Sequence, residues 1–129
     1  MGLDTYAYYP KGHPKYSSDE NVSNMLPDEL FPENQLCGGM FSGGGPSFRG
    51  KVYNEWVEYA TGYSLYEEEI PVEDVKEIYY RLSNANELIF TEFNEEGRND
   101  YDITWNQVQD LTKWFGVVVK EKAVVCGWW

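Results

Sequence analysis

The chain is poor in the residues that do most enzymatic and metal chemistry. It has one histidine, His13, and two cysteines, Cys37 and Cys126, in 129 residues. A Ser-His-Asp arrangement fails for want of histidines, and His13 sits in a Gly-His-Pro loop that predicts an exposed side chain. One histidine and two distant cysteines do not make a zinc site or a disulfide framework. Both thiols are read as free, with Cys126 on a buried strand. Basic residues are also scarce, 10 against 22 acids, and the net charge of -12 repels phosphate backbones and anionic lipid. No apolar run approaches the roughly 18 residues that cross a membrane. The opening Met1-Gly2-Leu3-Asp4 lacks the basic and apolar blocks of a signal peptide, and Tyr6 stands where a myristoylation signal needs Ser or Thr. The expectation is a single cytoplasmic domain with no cofactor, no bound metal, no nucleic acid and no membrane partner.

What the chain has instead is aromatic rings, with 5 Trp, 11 Tyr and 6 Phe. Several come as neighbours: Tyr8-Tyr9, Tyr79-Tyr80 and Trp128-Trp129. Adjacent side chains point to opposite faces of a strand, or about 100° apart on a helix, so some of each pair must be left outside the core. Exposed Tyr and Trp are favoured at protein interfaces. Tyr8, Tyr9, Tyr80, Trp128 and Trp129 are therefore the candidate binding residues. With an open sheet edge, such rings also predict a homodimer.

The clearest periodicity runs from Ser47 to Leu82. Val52, Trp56, Tyr59 and Tyr63 predict one helix, with Ser47 as its cap and Gly62 as its stop. Ser64 to Ile70 reads as a strand with an acidic exposed face. Pro71, Glu73 and Asp74 then open a second helix carrying Val75, Ile78 or Tyr79, and Leu82 on one face, with a Glu77–Arg81 ion pair.

On either side the signals are shorter. Leu3 to Tyr9 predicts an N-terminal strand. The long stretch that follows, to about Gln35, is irregular apart from a helical turn at Pro27 to Phe31. Glu87 to Phe93 alternates and reads as a strand, and Asn94 to Tyr101 as a turn. Thr104 with Gln107 forms a capping box for a third helix bearing Val108, Leu111 and Phe115, which ends at Gly116 or near Lys122. Ala123 to Trp129 predicts a closing strand beside the first. The fold class is α+β: a small, mainly antiparallel sheet including both terminal strands, packed against two or three helices.

Three local patterns invite a chemical reading. Within the glycine-rich segment Cys37 to Gly50, the run from Gly45 to Lys51 (GPSFRGK) matches the first seven positions of a phosphate-binding loop. Val52 replaces the Mg²⁺-binding hydroxyl, however, no buried strand precedes the run, and Pro46 stiffens it, so it is read as a turn before a helix. Glu95, Glu96, Asp100 and Asp102 crowd one turn, as oxygen ligands of a divalent ion would, without EF-hand spacing. Glu67 and Glu69 share a strand face near Tyr66, the beginnings of an acid–base pair in an aromatic cleft. Asp4, if its strand is central, is buried and must be paired or protonated.

The opening Met1-Gly2-Leu3-Asp4 with Tyr6 and Tyr8 resembles that of a family of small uncharacterised proteins from bacteriophages and bacteria. Further similar features are the aromatic helix at Lys51 to Tyr59, the Tyr-containing strand at Leu65 to Ile70 and the helix at Val72 to Leu82. Asp100-Tyr101-Asp102, leading to Asp110-Leu111, completes the likeness. Thr5 stands where Met is commoner, and Phe48-Arg49-Gly50-Lys51 replaces a Trp-Arg-Lys start. The resemblance implies an origin and no activity. The expected function is non-enzymatic binding to, or modulation of, a host protein. The alternatives are a small carboxylate-dependent hydrolase and an acidic mimic of nucleic acid.

Overall fold

A computed structural model describes residues 2–38 and 45–129. Its sheet has four antiparallel strands in the order β2-β1-β4-β3: β1 is Asp4–Tyr8, β2 Ser47–Arg49, β3 Glu69–Ile70 and β4 Val124–Trp128. The terminal strands lie side by side, in register from Asp4–Trp128 to Tyr8–Val124. Among the described residues four α-helices, α1 (Gly50–Thr61), α2 (Val72–Asn84), α3 (Glu87–Glu95) and α4 (Trp105–Lys120), and a 3-10 turn at Asp28–Leu30 complete the fold. The α+β architecture with paired terminal strands is the one the sequence predicts, with one helix more.

Strand alternation separates the two faces of the sheet. Leu3, Ala7 and Tyr9, with Phe48, Ile70, Ala123 and Val125, join the core that the helices cover. Asp4, Tyr6 and Tyr8 take the opposite parity, alongside Cys126 and Trp128 on β4. Asp4 is buried, as a central strand requires, and Arg49 Nε lies 3.9 Å from its Oδ1.

Aromatic packing builds the interior. Phe48 meets Trp114 edge-on at 4.8 Å and Tyr53 at 5.7 Å. Trp114 donates its indole N–H to the Gly45 carbonyl at 3.0 Å, so its polar atom is satisfied. Val75, Ile78 and Leu82 are the buried stripe of α2, and Val108, Leu111 and Phe115, with Trp114 and Val118, that of α4. The capping box is formed in both directions: Gln107 N–H donates to Thr104 Oγ1 at 3.1 Å, and Thr104 N–H to Gln107 Oε1 at 3.0 Å.

Four expectations are corrected. Glu87 to Phe93 is helix α3, because Asn86 caps it by accepting from Ile89 N–H at 3.0 Å. Phe90 and Phe93 then fall on one helical face against Trp56, at 5.4 and 5.3 Å. Ser47 is not the cap of α1; it pairs with Tyr6 in β2, and α1 starts at Gly50 with Arg49 at its cap position and no side-chain cap bond. A Cβ on Gly50 would stand 2.0 Å from Thr5 Oγ1, so glycine is what lets this helix start close against β1.

Of Ser64 to Ile70, only the last two residues are strand. Asn54 Oδ1 accepts from Leu65 N–H at 2.7 Å, and the carbonyls of Leu65 and Glu67 press on Gly127. Glu68 still accepts from Gly127 N–H at 3.4 Å, so the end of the stretch stays beside β4 without forming a longer strand. Lastly, α1 buries Tyr53, Trp56 and Val57, while Val52, Tyr59 and Tyr63 are half-buried. Gly62 does stop the helix, at φ 81° in the left-handed region, and α4 runs through Gly116 to Lys120.

Candidate functional site

The five aromatic residues singled out in the sequence do not gather at one place. Tyr9 is in the core at 4% exposure, on the same strand parity as Leu3 and Ala7. Its ring lies 4.6 Å from His13, and its hydroxyl donates to Glu121 at 3.0 Å. This removes it from any contact surface. His13 is also not a free loop residue, since its Nε2 is 2.7 Å from the Glu121 carbonyl. Its Nδ1 accepts from Lys15 N–H at 3.0 Å. Tyr8 is half-buried on the outer sheet face, edge-on to Tyr6 at 6.1 Å.

Trp128 and Trp129 are brought together, 49% and 48% exposed, at the end of β4. Trp129 packs edge-on against Tyr66 at 5.6 Å. Glu68, Gly127 and the two tryptophans line a shallow cleft of 220 Å³ there. This corner lies where the last residues of β4, still paired with β1 through Trp128, meet the irregular stretch that carries Tyr66. The sequence identified the tryptophans and missed Tyr66 as their neighbour.

Tyr80 projects from α2, 64% exposed, on the helical side of the molecule. It forms one wall of a groove of 590 Å³ between α1, α2 and α3. Tyr59, Ala60, Ala85, Ile89 and Glu92 share its lining. Tyr59 is fixed from several sides. Its hydroxyl donates to Glu96 Oε2 at 2.5 Å, Phe93 lies 5.3 Å from its ring, and the Arg98 guanidinium lies 5.1 Å over it. Arg98 is itself held by Glu55 at 2.9 Å. The bond to Glu96, with burial and the nearby Glu92 charge, raises the phenol above its ordinary pKa and keeps it a donor.

Glu67 and Glu69 line one cleft of 270 Å³ with Asp74 and Tyr63. Both glutamates are exposed, without the desolvation that a general acid requires. Among the described residues, no group of three or more His, Cys, Asp or Glu side chains could hold a metal ion. That holds for Glu95, Glu96, Asp100 and Asp102 too. The phosphate-loop match also dissolves: Ser47–Arg49 is strand β2 and Phe48 is fully buried, so no cradle of free N–H groups forms. The remainder of the glycine-rich segment, 39–44, lies outside the described residues. Among the described residues, no helix is long and apolar enough to cross a membrane.

No family model matches the chain, and neither curated proteins nor solved structures give a match.

Proposed function

We propose that this chain is a non-enzymatic protein-binding module that presents exposed aromatic rings to a partner. The observation that carries this reading is the C-terminal corner, where Trp128, Trp129 and Tyr66 stand exposed together. Indole and phenol rings supply large contact area at low entropic cost, and they dominate the energetic centres of interfaces. Leaving two tryptophans half in water works against solubility in a domain that buries most of its other large apolar side chains. Docking on a partner would complete their burial.

The net charge of -12 favours a basic partner surface. On the resemblance of its opening to phage and bacterial proteins, the partner is a host protein met in the cytoplasm. A homodimer has less support. The β3 edge offers only Glu69 and Ile70 for pairing, and two like-charged copies repel. The exposed position of Glu67 and Glu69 weighs against the hydrolase reading. Affinity capture with the whole chain and with its Trp128→Ala/Trp129→Ala variant tests the proposal. A partner retained by the first and lost by the second supports it; identical retention by both contradicts it.

A further inference from the structure

The geometry points to the groove between α1, α2 and α3 as a second docking site, whose occupant is a peptide segment carrying one large apolar side chain flanked by lysine or arginine. The inference deepens the protein-binding reading by naming the chemistry of a partner, and it rests on a surface separate from the tryptophan corner.

Shape comes first. Ala60 and Ala85 are small, and with the Tyr59 and Tyr80 rings they line room that a larger residue would fill. Ile89 adds apolar surface, so an apolar side chain entering the groove exchanges water for carbon. The two walls differ in kind. Tyr59 is anchored by Glu96, Phe93 and Arg98, whereas Tyr80 is exposed. A half-exposed ring held from so many directions is preorganised, which lowers the entropic cost of binding.

Charge decides the flanks. Arg81, the cation of the lining, is already engaged: Nη1 donates to the Thr61 carbonyl at 2.7 Å and Nε to Glu77 at 2.9 Å. Asn84 spends its Nδ2 on the Tyr80 carbonyl at 2.9 Å, which leaves its Oδ1 as an acceptor. Glu92 adds a carboxylate, and Glu96 stands next along α3's end, bound to Tyr59. Arg98, over the Tyr59 ring, is likewise engaged, by Glu55 at 2.9 Å, so with both cations already paired the groove's match is a donor-rich, positive segment. A second copy of this chain would bring net negative charge instead, and is the poorer fit.

The test is selection of random dodecapeptides, displayed on yeast, against the whole chain, followed by titration of synthetic versions of the enriched sequences. The expected peptides hold one large apolar residue with Lys or Arg on its flanks. Their affinity should fall about tenfold or more with Tyr80→Ser and with Glu92→Lys, fall with added salt, and be unchanged with Trp128→Ala. Tyr80 and Glu92 are exposed, so both variants should melt as the parent does, which separates lost binding from lost fold. Absence of enrichment, enrichment of peptides without basic residues, or indifference to Glu92→Lys would overturn the inference. So would self-association of the chain abolished by Tyr80→Ser, which would seat a second copy in the groove. Peptides sensitive only to Trp128→Ala would defeat the groove while leaving the protein-binding reading intact.

Discussion

Tyr9 donates its hydroxyl to Oε1 of Glu121 at 3.0 Å, joining the last residue of the first strand region to the end of α4. The same oxygen accepts from Lys15 Nζ at 3.0 Å, while His13 bonds the Glu121 backbone. One glutamate therefore ties down the irregular stretch after β1.

The tie is sensitive to acid. Lys15 first, and Tyr9 with it, hold the Glu121 carboxyl below the ordinary glutamate value of 4.5, against the opposing effect of burial. A depressed folded-state value means that Glu121 stabilises the fold fully above its unfolded pKa. That contribution is lost as pH falls from about 4.5 through the lower folded value. Chemical denaturation from pH 7 to pH 3 should show this loss, and Glu121→Gln should shrink it. Tyr9→Phe should cost about 1 kcal/mol at neutral pH, the usual worth of one such bond. Equal acid sensitivity in Glu121→Gln would show that the tie lies elsewhere.

The two thiols should react very differently. Cys37 is exposed, whereas Cys126 is buried in β4. Burial, with the Glu69 charge beside it, pushes the Cys126 thiol up to about 11, so it stays protonated and slow at neutral pH. A colorimetric disulfide reagent should titrate one thiol at once and the second only after denaturant is added. Two equally fast thiols would mean that β4 does not sit against β1 as described.

Truncation and point substitution of the C-terminus should part company. Deleting Gly127 to Trp129 removes the Thr5–Gly127 and Asp4–Trp128 pairs of the central strand pair, so the melting temperature should drop markedly or soluble expression fail. Trp128→Ala and Trp129→Ala keep the backbone pairing and remove rings already half in water. Each should cost on the order of 1 kcal/mol or less. Point variants as damaging as the deletion would make the rings structural rather than a contact surface.

The Gly45 to Lys51 run should not bind nucleotides. Phe48 is packed on Trp114 and the Gly45 carbonyl accepts the Trp114 indole, which commits this stretch to the core. Calorimetry with ATP or GTP and Mg²⁺ should show no saturable heat, and micromolar binding dependent on Lys51 would contradict the fold drawn here. Gly50→Ala, by contrast, should destabilise by about 1–3 kcal/mol, because the added carbon meets Thr5 and Leu3.

How far the sequence reached follows from how local each signal is. The α2 stripe Val75, Ile78 and Leu82 and the Thr104–Gln107 box sit within one or two helical turns, and both are formed. The terminal strands were legible because neither is polar enough to be a tail. Helix α3 was not, since Leu88 and Phe90 mimic a strand's alternation while the deciding pair, Phe90 and Phe93, finds its partner Trp56 far away in sequence. Which of Tyr8 and Tyr9 faces the core depends on strand parity, set by Leu3 and Ala7. The groove was invisible for the same reason of distance: its walls, Tyr59 and Tyr80, come from different helices and become neighbours only when α1 and α2 pack.

Whether the exposed aromatic rings bind a protein partner is decided by one titration. With a partner isolated by affinity capture, isothermal calorimetry would compare the parent chain with Trp128→Ala/Trp129→Ala. One-site binding should weaken about tenfold or more, which is about 1.4 kcal/mol or above, in a variant that remains folded. Equal affinity for both proteins would contradict it.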